Sequence, residues 1–279
     1  MLVVEYLSAG YKKKQVLNEV SLNFPEGEFT TLMGANGCGK TTLLHAISGL
    51  LPVQSGHVQL NDEPLLKLSR KEVAKRLALL PQVATSPAGL TARELIMQGR
   101  FPWQSWWRQW SDQDEKAVNE AVEVTGVSDY LDTPLEQLSG GQRQRCWIAM
   151  TLAQDSPVLL LDEPTTYLDV AHQAELMNLI SSLKSKGKTI IAVLHDLNQA
   201  ATYSDRLVMM KAGQVYCEGE VETVFTKDNL QQVFGLDAHI VRDPHNDNPI
   251  ALPVVDANVS VNKQSDIQSA KKLEGELRV

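Results

Sequence analysis

Between residues 1 and 33 apolar and polar positions alternate around the turn signal Pro25-Glu26-Gly27, and the run Phe29-Thr30-Thr31-Leu32-Met33 completes the segment. A period of two places successive side chains on opposite faces of an extended chain, so this segment reads as an antiparallel edge feeding a central strand. The period changes at Thr41. From there TTLLHAISGL reads as a helix, with Gly49 as a cap near its end and Leu50-Leu51-Pro52 closing it. His57 to Leu60 and Leu77 to Leu80 are short strand candidates. Thr91-Ala-Arg-Glu94 has the form of a capping box that opens a helix to Gln98, with Gly99 behind it.

The middle of the chain is helical by the same signals. Ser111 to Gly126 begins with acidic residues that suit a helix dipole, and another helix follows Gly140-Gly141. Beyond it, Val158 to Leu161 and Thr189 to Leu194 are continuous apolar runs, the pattern of strands covered on both faces of a parallel sheet, with Ala171 to Lys186 as the crossover helix. Arg206 to Met210 and Gln214 to Cys217, joined by Lys211-Ala212-Gly213, read as a hairpin. The expected organisation is one domain over 1–257, with an α/β core at about 1–85 and 155–257 and a helical subdomain at about 86–154. From about Asn258 the composition turns polar, so 258–279 is expected to be a loose tail.

Composition narrows the classes of function. The 279 residues carry 26 Lys and Arg against 34 Asp and Glu, a net charge of −8, which gives no electrostatic footprint for a nucleic-acid backbone. Cys38, Cys146 and Cys217 are odd in number and widely spaced, as expected of reduced thiols in a cytosolic protein. The start MLVVEYLSAGYKKK lacks a basic leader ahead of an apolar stretch, and the apolar runs fall far short of the roughly 20 residues that span a bilayer. Neither export nor membrane crossing is expected.

Three motifs carry chemistry. Gly34-Ala35-Asn36-Gly37-Cys38-Gly39-Lys40-Thr41 matches the phosphate loop G-x-x-x-x-G-K-[ST] and lies between a strand and a helix. Backbone N–H groups of such a loop converge on phosphate oxygens, Lys40 adds a charge, and the Thr41 hydroxyl can ligate Mg²⁺, so the expected ligand is a polyphosphate nucleotide. Val158-Leu-Leu-Leu-Asp162-Glu163 ends an apolar strand in two carboxylates. Alone such a pair is usually a solvated turn. Beside a phosphate loop, Asp162 can reach the Mg²⁺ shell and Glu163 can face the water that attacks the γ-phosphate. His195 ends the next apolar strand at the same edge, and Gln82 follows the strand at Leu77 to Leu80 as a neutral ligand or water-positioning group. The third motif, Leu138-Ser139-Gly140-Gly141-Gln142, precedes a helix and makes a second anion-binding corner.

With Leu-Ser-Gly-Gly-Gln in place, the chain from about Val3 to Pro253 resembles the nucleotide-binding subunit of an ATP-binding-cassette (ABC) transporter. The resemblance implies a P-loop NTPase (RecA-like) core with an N-terminal antiparallel β-subdomain and an inserted α-helical subdomain. It makes Gly34 to Thr42 the Walker A loop, Gln82 the Q-loop residue, Ser139 to Gln142 the signature, Leu159 to Glu163 Walker B, Thr166 to Asp169 the D-loop and His195 the switch histidine. Tyr11, 29 residues before Lys40, matches the aromatic that stacks on adenine. The stretches GRFPWQ, LSGGQRQRCWIAMTLAQD and LLLDEPTTYLD are most similar to ATPases of ferric-siderophore importers, with haem and vitamin B12 importers nearby.

The family works as a head-to-tail dimer in which each ATP, with Mg²⁺, lies between one copy's Walker A loop and the other's signature. The resemblance therefore implies a second copy of the chain, separate polytopic permease subunits, indirectly a substrate-binding protein, and a place on the cytoplasmic face of the bacterial inner membrane. A soluble ABC ATPase acting on nucleic acid or ribosomes is the alternative. The single phosphate loop, the short span from Gln82 to Ser139 and the acidic balance count against it. A small-molecule P-loop kinase leaves the signature unexplained. The stretch FPWQSWWRQW, Phe101 to Trp110, holds four of the five tryptophans. It either packs within the helical subdomain or presents Trp106 and Trp107 to the permease, with Arg100 and Arg108 flanking.

Overall fold

The computed structural model describes residues 1–12, 14–82, 88–105, 110–166 and 168–254. Its elements run in chain order as follows. Strands β1 (Leu2–Tyr11), β2 (Lys14–Phe24) and β3 (Phe29–Gly34) lead into helix α1 (Lys40–Ile47), then β4 (Val53–Leu60), β5 (Glu63–Pro64), α2 (Arg70–Arg76) and β6 (Leu77–Leu80). Three helices follow, α3 (Ala92–Gln98), α4 (Asp112–Thr125) and α5 (Gly140–Ala153). The chain then returns through β7 (Val158–Asp162), α6 (Val170–Ser185), β8 (Thr189–Val193), α7 (Leu197–Tyr203), β9 (Arg206–Lys211) and β10 (Gln214–Glu220). It closes with α8 (Val221–Val224), α9 (Lys227–Phe234), β11 (Ala238–Arg242) and β12 (Pro249–Pro253).

Two sheets organise these elements. β3, β8, β7 and β6 are parallel neighbours in a six-stranded sheet of order β10-β9-β3-β8-β7-β6, and only the β9–β10 pair is antiparallel. The alternation of β1 and β2 forms a separate antiparallel sheet with β4 and β5, in the order β2-β1-β4-β5. The continuous apolar runs are explained by burial on both faces. Phe29, Met33, Leu159, Leu161, Ile190 and Ala192 turn to one cluster with α6 and α7, while Leu32, Leu160, Ile191 and Val193 turn to another with α1 and the antiparallel sheet. A third cluster, around Ala92, Leu95, Val118, Ala121, Cys146 and Ala149, is the core of the three central helices.

Helix ends follow their local chemistry. Thr91 with Glu94, Ser111 with Asp114 and Ser139 with Gln142 all form reciprocal capping boxes, and α4 ends at Gly126 in the left-handed region. The expected helix from Thr41 stops earlier, at Ile47, because Gly49 turns the chain with φ 73°. Elements absent from the expectation are β5, α2, which buries no residue, the short α7 and α8, α9, and the closing hairpin β11–β12. None has more than one turn or two of apolar period, which is too little signal against the background of ordinary loops.

Trp103 and Trp110, the described tryptophans of the stretch, are partly buried, whereas Phe101 at its start is exposed. Trp103 Nε1 donates to the Gln154 carbonyl at 2.7 Å, with Arg100 and Lys75 against its ring, and Trp110 Nε1 donates to Glu115 at 2.8 Å while its ring packs on the helical core. Packing inside the subdomain therefore accounts for Trp110, while Trp103 sits where α2 of the core meets the end of α5. Trp106, Trp107 and Arg108, and with them the expected docking role, lie outside the described residues, as does the segment 258–279. Arg100, expected to flank an interface, is instead buried: its Nε donates to Asp114 at 2.9 Å and Nη1 to the Ala153 carbonyl at 2.8 Å. Burial pushes the Asp114 carboxyl up, but hydrogen bonds from Ser111 and Arg100 outweigh it and hold the group below its ordinary value. Arg100→Ala leaves that carboxylate buried without its cation and is expected to destabilise the chain by about 3–5 kcal/mol in urea unfolding. A loss below 1 kcal/mol contradicts this reading of the pair.

Candidate active site

The strand β3 hands the chain to α1 through a loop that two glycines make possible. Gly34 sits at φ 146°, and a Cβ there would lie 2.3 Å from the Met210 carbonyl oxygen and 2.7 Å from Cys38 Sγ. At Gly39, φ 111°, a Cβ would press within 2.8 Å of Leu17. Lys40 is buried, and its Nζ donates to the carbonyl oxygens of Gly34 at 2.8 Å and Ala35 at 3.3 Å, so the ammonium spans the loop. Cys38 packs in the core beneath the loop as a buried free thiol.

The carboxyl ends of the parallel strands meet this loop. Asp162 ends β7 almost wholly buried. Its Oδ1 accepts from the Thr41 hydroxyl at 3.2 Å, and its Oδ2 has no hydrogen-bond partner. Burial raises the Asp162 pKa above its ordinary value, with the Thr41 hydrogen bond opposing. An orphaned buried carboxylate oxygen next to a hydroxyl is a donor set that suits Mg²⁺, which binds through one or two carboxylates together with substrate phosphates. Among the described residues no group of three His, Cys, Asp or Glu side chains has a metal-binding arrangement of its own.

Glu163 adopts φ 52°, a left-handed conformation that a non-glycine residue rarely holds, and its N–H donates to the Val193 carbonyl at 3.2 Å. This turn aims its side chain at two groups from other strands. Gln82 Nε2 donates to Oε2 at 2.6 Å, and His195 Nε2 lies 2.5 Å from Oε1. The Thr166 hydroxyl adds a third contact at 3.3 Å. Gln82, Glu163 and His195 line one open cavity of about 570 Å³ with Lys14, Val16, Asn36, Gly37, Gly39, Lys40, Thr41 and Thr42. Such a cavity is walled by the phosphate loop and presents the Lys40 side chain, the Thr41 hydroxyl and the positioned Glu163 carboxylate, with Asp162 buried behind Thr41. It can bind a polyphosphate and hold a water beside the terminal phosphate for general-base attack.

The remaining sequence-derived residues gather elsewhere. Ser139, Gly141, Gln142 and Asp169 line a second cavity of about 470 Å³ that shares no residue with the first. Gly140 opens the helix at that corner as the first residue of α5. Ser139 caps α5, its hydroxyl accepting from Gln142 N at 3.2 Å. Asp169 caps α6 and binds both the N–H and the ring of His172, and these hydrogen bonds hold its carboxyl below the usual range. Tyr11 stands half-exposed outside the lining of the first cavity, as the cross-strand partner of Lys14, which does line it. Lys14 and Val16 in the first cavity, and Tyr130, Arg145 and His172 in the second, had no motif to mark them. The spacing of His172 three residues after the cap Asp169 was the one available signal.

A family model described as ABC transporter matches residues 17–166. The chain is 46% identical over 252 residues to the iron(3+)-hydroxamate import ATP-binding protein FhuC of Bacillus subtilis (strain 168), covering 90% of this chain and 94% of the relative. It is 43% identical over 251 residues to the ferric enterobactin transport ATP-binding protein FepC of Escherichia coli (strain K12), covering 90% and 93%. A solved structure, the dimeric post-hydrolysis state of the ATP-binding cassette MJ0796 bound to ADP and Pi, superposes with a TM-score of 0.70 at 29% identity, covering 79% of this chain and 99% of that one.

Proposed function

The chain belongs to the ABC transporter family as one of its ATP-binding subunits, and from that premise we propose that it hydrolyses ATP to drive uptake of an iron–siderophore complex through separate permease subunits. The observation that carries the site reading is the convergence of Gln82, Glu163 and His195 on the cavity that the phosphate loop walls. In this reading Tyr11 and Gly34 to Thr42 hold ATP. Thr41, Asp162 and Gln82 hold Mg²⁺, which when bound neutralises phosphate charge. Glu163 takes the proton of the attacking water, and His195 and Gln82 hold that carboxylate and water in place.

The separation of the two cavities supports the head-to-tail dimer. Ser139, Gly141, Gln142 and Asp169 line a cavity apart from the one that the same chain's phosphate loop walls, and in this reading they complete a second copy's site when two copies stack. ATP then binds the closed pair better than the open one, which is the differential affinity that a ligand-driven movement needs.

An apolar groove of about 560 Å³ supports the permease as partner. It is lined by residues that follow α1, by residues of α2 and β6 and by Pro81, and Leu50 and Leu66 in it are exposed. The next residue is Gln82, so a segment seated in the groove touches the chain that reaches Glu163. Among the described residues no helix is long and apolar enough to cross a membrane, so attachment through such a groove accounts for a peripheral place at the inner membrane's cytoplasmic face. The substrate class comes from the relatives, whose names print siderophore transport, iron(3+)-hydroxamate import and ferric enterobactin transport.

Uptake of radiolabelled iron by a strain lacking the gene, offered a panel of ferric siderophores, tests the proposal. The chain is expected to restore uptake of at least one. Lys40→Ala is expected to abolish it through lost nucleotide binding. Leu50→Glu with Leu66→Glu is expected to abolish it with the subunit stable but no longer co-purifying with its permease. Restored growth without iron uptake, or full uptake by the leucine double variant, contradicts the respective part.

A further inference from the structure

We infer that His45 is a positioning residue for the nucleotide base: it fixes the ring of the half-exposed Tyr11 as a stacking platform and ties that platform to the helix that closes the phosphate loop. The inference rests on reading Tyr11 as the aromatic that meets the base. Tyr11 Oη and His45 Nδ1 lie 3.2 Å apart. Tyr11 ends β1 at a hairpin tip, and the residue is 46% exposed, with its cross-strand partner Lys14 already lining the nucleotide cavity. An untethered ring at such a place rotates about two side-chain bonds. A hydrogen bond at the hydroxyl restrains that rotation through the ring's edge and leaves its apolar face free for stacking.

The other end of the tether is rigid. The His45 carbonyl accepts from Leu50 N at 2.9 Å, Leu51 N at 3.0 Å and the Ser48 hydroxyl at 3.0 Å, and its neighbours Leu44 and Ala46 are buried between the sheets. His45 lies one turn along α1 from Thr41, about 6 Å of rise, and Thr41 and Thr42 line the phosphate end of the cavity. One helix thereby sets both the phosphate cradle and the base platform. A nucleoside triphosphate meets two contact points whose spacing is fixed before it arrives, so less ordering remains to be done on binding.

Calorimetric titration of the full-length chain with magnesium and either AMP-PNP or inorganic tripolyphosphate separates the base from the phosphates. His45→Ala and Tyr11→Phe are each expected to weaken AMP-PNP binding about threefold to tenfold, the loss of one hydrogen bond, with tripolyphosphate affinity unchanged. The double variant is expected to lose no more than either single one, because both remove the same bond. His45→Gln, whose amide can still meet the phenol, is expected to recover part of the loss, and in turnover the effect is expected on KM rather than kcat. Equal losses for both ligands would instead place His45 at the phosphates and overturn the inference. So would additive losses, or wild-type affinity in His45→Ala. If His45→Ala does not fold, Tyr11→Phe and His45→Gln still decide. Tyr11→Ala distinguishes the layers: no loss of AMP-PNP affinity there sinks the base-platform reading and this inference with it, whereas a loss there without one in Tyr11→Phe and His45→Ala sinks the inference alone.

Discussion

Glu163→Gln is expected to lower ATP turnover of the purified transporter by about 10²-fold or more while ATP still binds. The side chain is held at one corner of the cavity by Gln82 Nε2 at 2.6 Å and His195 Nε2 at 2.5 Å, on a backbone turned to φ 52°. Glutamine has the same shape and fits the same turn, so the cavity wall and the phosphate loop keep their form. What it lacks is a second oxygen able to take a proton. The amide oxygen can still accept from Gln82 Nε2, while its NH₂ can meet His195 only if the imidazole presents Nε2 as an acceptor. The assay is steady-state phosphate release alongside equilibrium ATP binding. Near-normal turnover, or a loss of ATP affinity as large as the loss of turnover, contradicts the proposed role of Glu163 as base.

Ser139→Asp is expected to have an effect of similar size for a different reason. The Ser139 hydroxyl caps α5 by accepting from Gln142 N, and aspartate caps helices equally well, so the melting temperature is expected to hold. The substitution places a negative charge at the corner where a γ-phosphate would be received. Like charges brought together at a closed interface cost several kcal/mol, and each 1.4 kcal/mol is a factor of ten, so turnover is expected to fall about 10²-fold. The cavity that holds the phosphate loop does not include Ser139, so ATP affinity of the isolated subunit is expected to stay as in the wild type. A variant that loses ATP binding as a monomer, or that turns over normally, removes the signature from the site.

The contrast between these two residues shows what the sequence could and could not convey. The phosphate loop was legible because its demands are local: Gly34 and Gly39 have no room for a Cβ, and Lys40 and Thr41 follow at fixed spacing. β7 and β8 were legible because strands covered on both faces have no polar position to interrupt them. The partnership of Gln82 with Glu163 was not legible, because 81 residues separate them and only the order of β6, β7 and β8 in the sheet brings their ends together. Nor was the burial of Arg100. An arginine beside tryptophans carries no mark that its partner will be Asp114, a residue that already serves as the third position of a capping box. The apolar groove escaped notice as well, since Leu50, Leu66 and Pro81 belong to three separate short segments that only the fold assembles.

The claim on which the rest depends is that two copies of this chain close around ATP. Sedimentation velocity of the Glu163→Gln chain, with and without Mg–ATP, measures it directly. A monomer that becomes a dimer on adding Mg–ATP, and stays a monomer when Ser139→Asp is added although ATP still binds, is the expected result. A chain that binds Mg–ATP and remains monomeric, or one whose dimer forms regardless of nucleotide and of Ser139, contradicts it.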